Sequence, residues 1–123
     1  MGQHLSVSLA EDYSLFALSR DESLVDFDDT YTWDALLYLD CTFDVVIHLA
    51  GLAHDTSNKS LEEDYFNVNV GLTEKLVNWI NKADKPVKLV YFSSIKVFGD
   101  LDRISDESDK NPTSVYGRSK LAA

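Results

Sequence analysis

The chain has 123 residues, enough for one domain with a core, and its 21 acidic and 11 basic residues leave a formal net charge of −10. That balance argues against a nucleic-acid partner, because phosphate binding needs clustered Lys and Arg. The single cysteine, Cys41, excludes an internal disulfide framework and supplies no metal-ligand spacing, which fits a buried thiol in a reducing cytoplasm.

No apolar run approaches a membrane span, and the N-terminus has no basic region followed by an apolar segment and a cleavage site. The chain therefore reads as soluble and unexported, with no membrane partner. Leu5, Leu9 and Ala10 recur near helical spacing and predict a helix from Gly2 to about Asp12. The apolar run from Tyr13 to Leu18, closed by Ser19-Arg20-Asp21-Glu22, predicts a buried strand and a loop. Leu24 to Phe27 suits a second, shorter strand. Asp28-Asp29-Thr30 offers capping side chains ahead of Trp33, Leu36, Leu37 and Leu39, which predicts a helix to about Asp40.

Val45 to Ala50 is β-branched and apolar on both faces and is closed by Gly51, the best strand pattern in the chain. From Leu61 to about Lys82, Tyr65, Val68, Leu72, Leu76, Trp79 and Ile80 form a broad helical stripe. Pro86 marks a turn, Val87 to Phe92 a further strand ending at Ser93-Ser94, and Gly99 to Asn111 a polar loop. Pro112-Thr113-Ser114 then supplies a stop and a capping hydroxyl for a final helix.

On that helix Tyr116 and Lys120 are four residues apart and share a face, so a phenol and an ammonium can share a site. A phenol in water titrates too high for proton transfer at neutral pH, and a nearby cation stabilises its phenolate. Strands alternating with helices predict an α/β domain with a parallel sheet. Ligands of such sheets lie beyond the carboxyl ends of the strands, here Ser19 and Arg20, Asp26, Ala50 and Gly51, and Ser93 and Ser94.

Four patterns then fall in one order: His48-Leu49-Ala50-Gly51, Asn69-Val70-Gly71-Leu72-Thr73, Phe92-Ser93-Ser94-Ile95-Lys96-Val97-Phe98-Gly99, and Pro112 with Tyr116-Gly117-Arg118-Ser119-Lys120. Together they resemble the extended short-chain dehydrogenase/reductases, in particular the NAD-dependent epimerase/dehydratase branch that acts on nucleotide sugars. The resemblance implies a Rossmann-like, doubly wound sheet that binds NAD or NADP. It also implies a catalytic set in which Ser94 binds the reacting oxygen, Tyr116 is the acid/base, and Lys120 assists Tyr116 and holds the nicotinamide ribose. Gly2, Arg20, Asp26, Leu49, Ala50, Gly51, Asn69 and Ser93 become cofactor-side candidates. Arg20 leaves a 2′-phosphate open, with Asp21 as the alternative acid for the ribose hydroxyls. Asn69 reads as a tie between strand ends rather than a substrate contact. Neither His48 nor His54 belongs to a spaced ligand set, so no metal is expected.

The same resemblance implies a partial domain over residues 1–123, with no second domain. Met1-Gly2-Gln3-His4-Leu5 is similar to the tail of the family's glycine-rich turn, with Gly2 as its third glycine. The first strand and the rest of that turn, on the order of ten residues, and the C-terminal substrate portion have no counterpart. Open sheet edges then predict rearrangement, homodimerisation or aggregation. The expected parent is a cytoplasmic nucleotide-sugar epimerase or 4-keto reductase of surface-polysaccharide synthesis, with a UDP-sugar as substrate. Ser94-Ile95-Lys96 stands where the dehydratase branch has Thr-Asp-Glu, and Ser94 to Val97 together with Ala53-His54 resemble bacterial enzymes acting at C4 of UDP-N-acetyl sugars. The competing expectation is a non-catalytic dinucleotide-binding or interaction module.

Overall fold

Two pairs of parallel strands organise the computed structural model, which describes residues 2–20, 27–53 and 61–123. Backbone contacts divide the chain into two units, residues 1–42 and 43–123. The predicted α/β class with parallel strands holds in both.

The first unit begins with helix α1, Gly2–Leu9, three residues shorter than its pattern predicts. The chain turns at Ala10 to Asp12, with the Tyr13 amide donating back to the Leu9 carbonyl. Strand β1 is Phe16–Ser19 and pairs in register with β2, Asp29–Thr32. Contrary to the capping role expected of them, Asp29 and Thr30 lie in a strand and do not cap a helix. Thr30, Tyr31 and Thr32 are β-formers, and Asp28 anchors the pair at both polar groups: its amide donates to the Leu15 carbonyl, and its carboxylate accepts from the Leu15 amide at 2.6 Å. The expected helix shrinks to one 3₁₀ turn, Trp33–Leu37, whose preceding Thr32 makes no side-chain cap. Phe27 lies outside any strand, and the rest of the strand expected at Leu24 to Phe27 falls outside the described residues.

The second unit follows its sequence pattern closely. Strand β3 is Val45–His48 and β4 is Lys88–Tyr91, paired in parallel so that Val46 lies beside Leu89 and His48 beside Tyr91. Helix α2, Glu62–Ile80, connects them in the manner of a crossover. Three acids in its first turn, Glu62, Glu63 and Asp64, suit the positive end of the helix dipole. Asp64 also accepts the Leu61 amide at 2.7 Å. A second 3₁₀ turn, Ile95–Phe98, follows β4, and helix α3, Val115–Ala122, closes the unit.

The apolar core of this unit is small. Leu76, Trp79 and Val97 are buried, and the Phe43 ring lies 5.7 Å from that of Trp79. Around them His48, Asn69, Thr73, Ser119 and Lys120 are also buried. The centre of the unit is therefore polar to an extent that hydrophobic burial alone does not explain.

Candidate functional site

The buried polar groups form one connected set. Asn69, 1% exposed, stands on the inward stripe of α2 one turn before Thr73. Its Oδ1 accepts the Leu52 amide at 2.7 Å, and its Nδ2 donates to the Leu52 carbonyl at 3.1 Å and to Ser119 Oγ at 2.8 Å. The amide group is thus oriented by its partners, because an amide N–H of Leu52 can meet only the oxygen. Ser119, fully buried, donates onward to the Tyr116 carbonyl at 2.9 Å. The segment after β3, the middle of α2 and the helix carrying Tyr116 are tied together through one side chain.

A second branch fixes His48. Thr73 Oγ1 donates to the Asn69 carbonyl at 2.7 Å, so its single hydrogen is committed and it accepts from His48 Nε2 at 2.9 Å. That donor pattern assigns the ring proton to Nε2. Burial lowers the His48 pKa below the ordinary imidazole value, and the charge of Lys120 adds to the effect. The ring is held as a neutral donor.

Helix α3 delivers Tyr116 and Lys120. Ser114 caps it, its Oγ accepting from the Gly117 amide at 3.0 Å. Gly117 is required where it stands: a Cβ there would lie 2.5 Å from the Lys96 carbonyl oxygen and 2.9 Å from the Pro112 ring. The missing methyl lets α3 press against the 3₁₀ turn after β4. Tyr116 is half-buried at the start of the helix, and Lys120 is 6% exposed one turn later. Burial lowers the Lys120 ammonium pKa. Its Nζ lies 4.2 Å from the centroid of the Tyr91 ring.

An open groove of about 640 Å³ runs along this surface, with Tyr91, Ser93, Ser94 and Lys120 among its walls. Ser94 begins the 3₁₀ turn, and its Oγ accepts the Lys96 amide at 3.2 Å. Gly51 borders the same ammonium from the β3 side. A Cβ there would stand 2.9 Å from Asn69 Oδ1 and 3.9 Å from Lys120 Nζ. The missing Cβ at Gly51 lets Asn69 pack closely against the segment after β3, beside the Lys120 charge.

The second unit therefore sets Lys120 in the groove with Ser93 and Ser94 and beside Gly51 and Asn69, while Tyr116, one turn earlier on α3, is not among the groove's walls; Leu49 and Ala50 are half-buried in the segment leading to Gly51. Gly2 and Arg20 stand in the first unit: Gly2 opens α1, and Arg20 is exposed just after β1. Asp26, Asp21 and His54 lie outside the described residues. Two participants are given no role by the sequence: Thr73, which appears there only within the Asn69 to Thr73 pattern, and Tyr91, only within the strand predicted from Val87 to Phe92. The signal for Thr73 was its spacing from Asn69, which sets two polar side chains on an otherwise apolar stripe. Among the described residues there is no cluster of His, Cys, Asp and Glu that could hold a metal, and no helix is long and apolar enough to cross a membrane.

The chain matches the family model described as the NAD dependent epimerase/dehydratase family over residues 1–123. A UDP-glucose 4-epimerase of Dictyostelium discoideum is 37% identical over 78 residues, covering 62% of this chain and 22% of the relative. Among solved structures, MoeE5 in complex with UDP-glucuronic acid and NAD superposes with a TM-score of 0.80 at 26% identity, covering 98% of this chain and 42% of that one. RMD from Pseudomonas aeruginosa, complexed with NADPH, gives a TM-score of 0.72 at 26% identity, again over 98% of this chain and 42% of the other. The chain thus spans about a quarter of the length of the curated relatives it matches and under half of these structures.

Proposed function

Because the chain belongs to the NAD dependent epimerase/dehydratase family, we propose that it carries the acid–base portion of a nicotinamide-dependent enzyme acting on a UDP-sugar, with 4-epimerisation as the favoured reaction. The observation that carries this reading is Lys120, largely buried along its stem, one helical turn from Tyr116 and on the wall of the groove shared with Ser93 and Ser94. MoeE5 with NAD and UDP-sugars, and the UDP-glucose 4-epimerase relatives, favour that substrate class.

NAD, when bound, supplies the hydride acceptor and donor at the sugar carbon. The remaining steps belong to this chain. Ser94 Oγ binds the reacting sugar hydroxyl and orients it. Tyr116 Oη takes the hydroxyl proton as the carbon is oxidised and returns it on reduction. Lys120 supplies the positive charge that stabilises negative charge developing on the phenol oxygen, and its ammonium donates to the ribose hydroxyls. Gly51, with Leu49 and Ala50, presents backbone rather than side chain to the ring system. Ser93 lies on the groove wall beside Ser94. In the first unit, taken by itself, Gly2 at the start of α1 has backbone amides suited to a pyrophosphate, and Arg20, after β1, has a charge suited to an adenosine ribose or its 2′-phosphate.

The experiment is a fluorescence titration of the chain with NADH and NADPH, followed by an assay for conversion between UDP-glucose and UDP-galactose with NAD. NADH binding weakened about tenfold or more by Lys120→Ala, the loss expected for a charge-assisted hydrogen bond, supports the cofactor site. Turnover abolished by Tyr116→Phe supports the acid–base role. Binding without turnover by the unaltered chain favours the non-catalytic dinucleotide-binding module, and binding of neither nucleotide sinks both readings.

A further inference from the structure

Lys120 is 6% exposed as a residue, and its ammonium on the wall of the open groove is partly desolvated, which is costly unless a partner replaces the lost water. The ion pairs formed among the described residues lie elsewhere: Lys85 with Asp44, and Arg118 with Glu62, both between exposed groups. Among the described residues no carboxylate pairs with Lys120. What faces its Nζ is the Tyr91 ring, 4.2 Å from the centroid and well inside the range of a cation–π contact.

Tyr91 touches Lys120 at a second point. Its hydroxyl donates to the Lys120 main-chain carbonyl at 3.4 Å, a long bond that nonetheless aligns β4 with the turn of α3 bearing the ammonium. The ring is itself constrained from β3: Tyr91 is the register partner of His48, whose ring stands 5.7 Å away at 38° and is held by Thr73. One aromatic side chain therefore links the strand register to both ends of the lysine.

We propose that Tyr91 is the positioning residue for Lys120, its ring face standing in for a carboxylate and holding Nζ on the groove wall beside Ser93 and Ser94. The distinction matters chemically. A carboxylate in contact with Lys120 would neutralise the charge that the proposed acid–base and ribose-binding roles require, whereas a ring quadrupole stabilises the ammonium and leaves its net charge intact. Burial, with Tyr116 adding, raises the Tyr91 phenol pKa, so it remains a neutral platform and does not compete with Tyr116 as an ionised phenol. The catalytic consequence rests on the function proposed above; the contact itself does not.

The test separates the two. In proton–carbon NMR spectra of the full chain, the Lys120 ε-methylene protons, assigned by their loss in Lys120→Arg, are expected upfield of the other lysines because they lie over a ring face. Tyr91→Phe, which keeps the ring, retains that shift; Tyr91→Leu, which keeps apolar bulk without a ring, abolishes it. A tyrosine that merely filled space would leave the Lys120 signal unmoved in all three proteins. NADH affinity should fall about five- to thirtyfold in Tyr91→Leu and change less than about twofold in Tyr91→Phe. If the unaltered chain binds no NADH, the function proposed above fails while the NMR comparison still decides the contact. If Tyr91→Leu does not fold, the shift in the unaltered chain and in Tyr91→Phe decides it. A Lys120 signal at the ordinary lysine position in the unaltered chain, or equal loss of affinity in both variants, would overturn the proposal.

Discussion

His48 shows how far one residue's chemistry is set by partners remote in sequence. In the sequence it is a polar interruption of an apolar strand; in the fold it is 3% exposed, donates to Thr73 on α2, and lies against Tyr91 and near the Lys120 charge. Its pKa is lowered by burial first and by Lys120 second. The unfolded chain therefore takes up this proton before the folded one as pH falls. The contribution of His48 to stability is complete above about pH 6.5 and declines below it until the folded value is reached, at a rate of up to about 1.4 kcal/mol per pH unit. His48→Gln keeps an N–H donor within reach of Thr73 and removes the titration. Urea unfolding from pH 7.5 down to 5 should show the variant losing less stability than the unaltered chain below about pH 6.5; parallel curves would contradict the burial of a neutral imidazole. The roles of Thr73 and Tyr91 were hidden from the sequence for one physical reason. Their roles depend on contacts across strand pairing and helix packing, whereas periodicity reports only which face a residue occupies.

At the scale of elements, β3, β4, α2 and α3 were legible because each carries a local signature: apolar runs bounded by turn residues, a long amphipathic stripe, and a Pro-Thr-Ser start. β2 was not. Its Asp-Asp-Thr opening has the composition of a helix cap, and only pairing with β1, with Asp28 gripping Leu15, selects the extended state. The catalytic candidates on α3 were legible from their spacing, but what seats that helix was hidden in Gly117. Gly117→Ala would drive a methyl to 2.5 Å from the Lys96 carbonyl oxygen, which is backbone and cannot swing aside. Although alanine is the better helix former by about 1 kcal/mol, overpacking of this kind costs about 1–3 kcal/mol, so the steric term outweighs propensity. The variant should unfold at lower urea concentration, and the Tyr116 and Lys120 signals should shift together as the helix is displaced. An equally or more stable variant with unmoved α3 signals would show that the contact is looser than it stands here.

For the whole molecule the balance between apolar exposure and charge decides behaviour in solution. On the β3–β4 pair and just after it, Val45, Ile47, Val90 and Phe92 are each between 37% and 47% exposed, and the register sets Ile47 beside Val90. Among the described residues the strands form two-stranded sheets, in which every strand is an edge strand. Such edges and apolar faces favour association. A net charge of −10 opposes it, over a screening length of about 30 Å at 0.01 M salt and about 8 Å at 0.15 M. Size-exclusion chromatography with light scattering should therefore give larger species as salt rises, reduced by Ile47→Lys. A monodisperse monomer at both ionic strengths would count against self-association through these surfaces.

The bond between the Leu52 amide and Asn69 Oδ1 has a further consequence. Most protected amides are held by another stretch of backbone, so their hydrogens exchange with deuterium only when secondary structure opens. The Leu52 hydrogen is held instead by a single side chain that also anchors the helix bearing Tyr116. Its exchange rate is thus governed by the fit of one carboxamide, and this backbone position acts as a gauge of whether β3, α2 and α3 remain assembled.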